Sequence, residues 1–235
     1  MYRSLVRHDR LETFRVAVKE TDLLVSACKG LADETRNLIL KHRMPLERYL
    51  QDHPQFLSSL MPLAIDRFAP PIVQTMIKAG RTAGVGPMAS VAGALAEYVG
   101  MDLLEHSDEV IVENGGDVFI RSENVLTVAI FAGASRFSNK IGVRIHAPGG
   151  PIGVCTSSGT VGHSLSFGKA DAVVVVSDST PLADAAATAI GNLLHEREDM
   201  AGAIERAKQI AGVSGVVIVM GDELAVAGQV ELVKL

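Results

Sequence analysis

Aromatic residues are scarce in this chain, at 4% of 235 residues, and tryptophan is absent. Stacking platforms for bases are therefore poorly supplied, which argues against single-stranded nucleic-acid binding. An excess of positive charge is missing too: the formal net charge is −5, so a phosphate-backbone binder is disfavoured. Cysteine is rare. Cys28 and Cys155 stand far apart with no C-x-x-C spacing, which leaves zinc and a disulfide framework unsupported and fits a reducing compartment. The first ten residues carry charge without an apolar stretch, so no signal peptide is expected. The apolar run at 170–177 is broken by Asp171 and far too short to cross a bilayer. These absences together predict a soluble, cytoplasmic protein with no nucleic-acid or membrane partner.

What the chain does have is small apolar residues. Hydrophobic residues reach 48% and glycine numbers 22, so the core is filled by Ala, Val, Leu and Ile, and backbones can approach one another closely. Residues 11–19 alternate apolar and polar, residues 23–28 form a second apolar run, and Glu20-Thr21-Asp22 between them reads as a hairpin turn. A helix with acid at its start follows at 33–41. Pro45, Pro54, Pro62, Pro70 and Pro71 then punctuate short helical pieces, each proline suited to a first turn. A small-residue helix is expected from Gly86 to Tyr98, ended by Gly100. Strands are expected at 109–112, 118–120, 126–131, 141–145 and 173–177, helices at 181–195 and 199–211, and strands at 216–220, 224–227 and the last residues. Hairpin, helices, several strands, helices and hairpin in that order favour an α+β fold with antiparallel sheet.

Four segments could carry chemistry. Thr82-Ala83-Gly84-Val85-Gly86-Pro87-Met88-Ala89-Ser90 offers bare amides before a helix N-terminus. It lacks the lysine of a Walker A loop and the leading strand of a Rossmann fingerprint; tight helix packing explains it equally well. Asn114-Gly115-Gly116-Asp117 is a hairpin signal explicable by a type I′ turn, in which Asp117 could also accept a bond from a ribose or base donor. The stretch 153–164 is dense in hydroxyls and glycines, among them Thr156, Ser157, Ser158 and Gly159, and suits an oxyanion or pyrophosphate. A polar surface loop is the plainer account. In the fourth segment, 178–192, Thr180 and Pro181 begin a helix on which Asp184 and Thr188 are four apart. Such residues share a face, with Cβ atoms roughly 5–6 Å apart. A carboxylate and a hydroxyl so placed can share a hard cation such as Mg2+; equally, Asp184 can serve the helix dipole and Thr188 its own previous turn.

Taken in order, these segments resemble the ApbE superfamily, whose characterised members are Mg2+-dependent FAD:protein FMN transferases, and most closely its short ApbE-like family. The resemblance spans about half the chain, from Gly80 to Asn192. It implies residues 1–235 as a single domain of two intertwined, internally duplicated T-fold-like units, antiparallel sheet backed by helices. It implies Mg2+ bound by Asp184, Thr188 and the Ala89 carbonyl, and a flavin nucleotide (FAD or a relative) contacted around Ser90, at Asp117 in its Asn114-Gly115-Gly116 turn, and at the Thr156-Ser157-Ser158-Gly159 segment. His163 corresponds to the histidine that follows. Two departures stand out: Ser90 occupies the place of a lysine, and the Asp-Pro after the histidine is missing. The implied function is a Mg2+-dependent flavin or nucleotide-pyrophosphate protein, an FMN transferase or FAD pyrophosphatase, with an acceptor protein if transfer occurs. The alternatives are a non-catalytic cofactor-binding module and a structural assembly subunit. Small-residue helices and abundant sheet also favour a homo-oligomer.

Overall fold

The computed structural model describes residues 6–7, 10–146, 149–160 and 167–235. A short strand β1 (Val6–Arg7) precedes the expected hairpin, in which β2 (Glu12–Val18) and β3 (Thr21–Ala27) pair antiparallel. The turn is Lys19-Glu20, one residue earlier than the acidic triplet suggested, because Lys19 takes the left-handed conformation with φ 52°. Helix α1 (Ala32–Asp52) runs through Pro45 instead of stopping there. Contacts on the N-terminal side of the proline hold it: Lys41 and His42 bond Asp102, and Arg43 bonds Thr21, Glu20 and, across the proline, Glu47.

Prolines do open the next helices, α2 (Pro54–Ser58), α3 (Pro71–Ala83) and the 3-10 turn Pro87–Ser90. Pro62 lies instead in the non-helical connection 59–70. Helix α4 (Val91–Leu103) continues past Gly100, whose missing side chain makes room for the Phe119 ring rather than ending the helix. The remaining elements are β4 (Val110–Asn114), β5 (Asp117–Arg121), β6 (Leu126–Ala129), β7 (Ile141–Ile145), β8 (Ile152–Ser157), β9 (Ala172–Ser177), α5 (Thr180–Gly191), α6 (Asp199–Gln209), β10 (Val213–Met220), β11 (Glu223–Gly228) and β12 (Glu231–Lys234). Strand β8 corrects the reading of 153–164 as a polar surface loop, because residues 153–157 are a strand inside the large sheet.

Every pairing among the described residues is antiparallel. The larger sheet has the order β11-β10-β9-β8-β5-β4-β3-β2, and the smaller β1-β6-β7-β12. Alternation along the large sheet sends Ile111, Val118, Ile120, Val154, Val174 and Val217 toward Val128, Val143 and Ile145 of the small one. The opposite face sends Val110, Val112 and Phe119 toward α1 and α4, and Cys155, Val173, Val175 and Ile218 toward α5 and α6. The large sheet is thus covered on both faces, which is why its central strands read as continuous apolar runs. The mixed architecture of helices and antiparallel sheet agrees with the expected class.

Candidate functional site

Glycines bring three elements together at one end of the large sheet. A Cβ on Gly93 of α4 would lie 2.6 Å from the Thr180 carbonyl and 2.9 Å from the Asp184 Cβ, so only glycine lets α4 meet α5 this closely. Gly153 of β8 makes a comparable approach to the Thr180 backbone. The two helices then cap one another. Asp184 of α5 accepts from the Gly93 N–H at 2.8 Å and also from Ala92, at the N-terminus of α4. Glu97 of α4 accepts from the Thr180 N–H at 2.6 Å, at the N-terminus of α5. Carboxylates on helix N-termini are favourable both as acceptors and as charges.

Asp117 opens β5 directly opposite Cys155 of β8. Cys155 and Thr156 lie beside its carboxylate, whose Oδ1 is buried without a hydrogen-bond partner. Burial pushes its pKa up to about 7. Asp184 is also pushed well above the carboxylate range, first by burial and then by the charge of Asp117, against the Gly93 and Ala92 N–H groups. Burial and these two carboxylates push the Cys155 thiol up as well, so it is an inert, neutral group that donates to the Thr180 carbonyl.

Both carboxylates face a cleft of about 320 Å³. Its polar side is formed by Asp117, Thr156, Ser157, Asp184, Thr188 and Asn192, and its apolar side by Leu57, Leu60, Val85, Met88, Val91 and Phe167, with Ala89 between. Among the described residues no Lys, Arg or His lines it.

Six of the residues singled out in the sequence therefore converge: Ala89, Asp117, Thr156, Ser157, Asp184 and Thr188. The other described ones do not line the cleft. Ser90 is fully buried and donates to the Pro87 carbonyl at 2.8 Å, closing the 3-10 turn. Asn114 donates to the Ala92 carbonyl, tying the hairpin to the start of α4. Gly115, with φ 68°, occupies the first central position of the β4–β5 turn and faces open space, whereas Gly116 accepts from the Thr156 N–H. That turn is Gly115-Gly116 and not Asn114-Gly115, since Asn114 pairs with Asp117. Ser158 accepts from the Thr160 N–H, and the Gly159 N–H donates to Ala170. His163 lies outside the described residues. Glu97 and the apolar wall were not anticipated. Nothing in the local pattern marks a glutamate in mid-helix as the cap of another helix, and exposed Leu57, Leu60 and Phe167 have no shared motif.

The donors match a hard cation better than a soft one. Carboxylate, hydroxyl and carbonyl oxygens gather here, and among the described residues no group of three or more His, Cys, Asp or Glu side chains does. The unsatisfied Asp117 oxygen beside a second carboxylate is what a bound cation would relieve.

A family model described as AbpE bacteria matches residues 3–231. A UPF0280 protein of Methanocaldococcus jannaschii is 42% identical over 227 residues, covering 94% of this chain and 92% of that one. A UPF0280 protein of Methanothermobacter thermautotrophicus is 39% identical over 226 residues, covering 92% and 85%. Among solved structures, the flavinyl transferase ApbE of Pseudomonas stutzeri in its apo form has a TM-score of 0.57 at 14% identity, covering 94% of this chain and 95% of that chain. The flavin transferase ApbE from Vibrio cholerae has a TM-score of 0.56 at 13% identity, covering 93% and 97%. Similarity at such identities is a similarity of fold, whereas the family model and the relatives extend along nearly the whole sequence. This chain therefore belongs to the family described as AbpE bacteria, the short ApbE-like branch that its glycine turns and its Asp-x-x-x-Thr helix resemble.

Proposed function

We propose that this protein binds FAD or a related nucleotide pyrophosphate together with Mg2+ in the cleft between α4, α5 and the end of β8. The observation that carries this reading is the convergence of Asp184, Thr188, Ala89 and Asp117 on one cavity that no basic side chain lines among the described residues. Asp184 and Thr188, with the Ala89 carbonyl, would hold the ion, which when bound neutralises phosphate charge and polarises a phosphoryl oxygen. Thr156 and Ser157 offer hydroxyls to phosphate oxygens, and the apolar side from Leu57 to Phe167 offers a surface to a ring system. The fold neighbours named as flavin transferases support the flavin class of ligand. Titration calorimetry with FAD is expected to show binding that depends on Mg2+; equal affinity with and without the ion would refute the reading.

A holder that does not transfer is the second reading, and Ser90 favours it. Where the resemblance expects a lysine, this side chain is buried and bonded to Pro87, so it presents nothing to the cleft. A fixed positive charge that would meet charge developing on phosphate is missing from that position. Incubation with FAD, Mg2+ and an acceptor protein, followed for AMP and protein-bound FMN, separates the two. Rapid appearance of both products would exclude the holder, and stable binding without them would exclude the transferase.

A further inference from the structure

Asp117 is the one cleft residue whose surroundings do not account for it. It is only 8% exposed, and its Oδ1 has no partner although the atom is buried. Leaving a buried acceptor unsatisfied costs about 1–3 kcal/mol, and more when it is charged. A second carboxylate, Asp184, lines the same cleft. Among the described residues no lysine, arginine or histidine lines the cleft to offset either of them. Thr156 and Cys155 flank Asp117 on the sheet, and its carboxylate lines the cleft shared with Asp184, Thr188 and Ala89.

We propose that Asp117 is a second carboxylate ligand of the divalent-cation site, facing Asp184 across the ion, rather than an acceptor for a ribose or base donor. This rests on the reading that the cleft takes a divalent cation. A neutral hydroxyl would satisfy only the free oxygen and would leave Asp184, which lines the same cleft, without a share in the ligand. A cation answers both, and hard-cation affinity rises with the number of carboxylates supplied. Asp184 keeps its bond from the Gly93 N–H while the Asp117 Oδ1 has no partner within the protein.

The test measures Mn2+, an EPR-visible substitute for Mg2+, on the full chain without nucleotide. Wild type is expected to bind it, and Asp117→Asn to weaken binding by about tenfold or more. Thermal unfolding supplies a second readout, in which Mn2+ is expected to raise Tm less in Asp117→Asn than in wild type. Unchanged Mn2+ affinity in Asp117→Asn, with binding lost in Asp184→Asn, would overturn the inference and leave the cation reading intact. Equal failure of wild type and both variants to bind would instead remove the cation reading itself, and this inference with it. If the asparagine variant does not fold, Asp117→Ser carries the same affinity comparison.

Discussion

Asp184 has two duties, and substitutions separate them. One of its oxygens accepts from the Gly93 N–H at the start of α4, so the side chain is structural as well as a candidate ligand. Asp184→Ala is expected to lower stability by roughly 1–3 kcal/mol, as loss of an acceptor for a buried donor does. Asp184→Asn keeps an acceptor oxygen and is expected to stay near wild-type stability while losing Mg2+-dependent nucleotide binding. Chemical denaturation and calorimetry on the two variants check this; comparable binding loss without any difference in stability would contradict the cap. Glu109 offers the matching lesson in acid. Burial pushes its carboxyl up, but bonds from Ser122, Asn124 and Arg10 together outweigh it and hold the pKa below its usual 4.5. A depressed folded pKa contributes stability that is present above pH 4.5 and lost as pH falls through the lowered value. Ser122→Ala is therefore expected to move acid unfolding to higher pH, as circular dichroism would record; an unmoved midpoint would mean that Ser122 does not hold the ionised form.

Helices α4 and α5 work as a pair, each supplying the carboxylate that caps the other, and Gly93 is the contact that permits it. Gly93→Ala would drive a methyl into the Thr180 carbonyl and the Asp184 side chain, both backbone-anchored. A cost of about 1–3 kcal/mol is expected for such overpacking, with cation affinity falling in parallel because Asp184 moves with its helix. Thermal unfolding and Mn2+ titration of this variant, compared with Gly202→Ala on α6, where nothing lies within 4 Å, isolate the effect. Equal behaviour of the two variants would deny the close approach its role. At this scale the sequence was only partly legible. The hairpin, α3, α5, α6 and β7 followed from periodicity, prolines and caps. Strand β8 did not, because Gly153 and the hydroxyls of Thr156 and Ser157 imitate a turn. Their strand state is imposed by β5 and β9 on either side. Pro45 misled for a similar reason, since ties formed across the fold hold α1 together around it.

For the molecule as a whole, ligand and ion are expected to act together on stability. A ligand at a hundredfold excess over its Kd adds roughly 2.7 kcal/mol if it binds only the folded chain. For a domain of this length each kcal/mol corresponds to about 2–4 °C in Tm. FAD with Mg2+ is therefore expected to raise Tm by several degrees, and FAD in EDTA to raise it little, because the cleft opposes two carboxylates to any phosphate. An equal shift under both conditions would show that phosphates reach the site without an ion. Among the described residues no helix is long and apolar enough to cross a membrane.

The sequence by itself determined the class of fold, the antiparallel hairpins and the chemical types available to the site. Those follow from local rules: alternation, proline at first turns, and the four-residue spacing that sets Asp184 and Thr188 on one face. It also determined family membership, since that depends on the order of residues along nearly the whole chain. Only the tertiary structure decided which of those residues share a cavity. Ser90, Asn114, Ser158 and Gly159 have donors and acceptors as suitable as those of Thr156 and Ser157, but backbone groups of the chain already engage them. Asp117 and Asp184, separated widely in sequence, meet because Gly93 and Gly153 let two helices and a strand approach within a side chain's width. That meeting sets their burial, their mutual repulsion and the free oxygen. None of these is a property of either residue alone, because each depends on the distance to a group that the chain brings back from elsewhere.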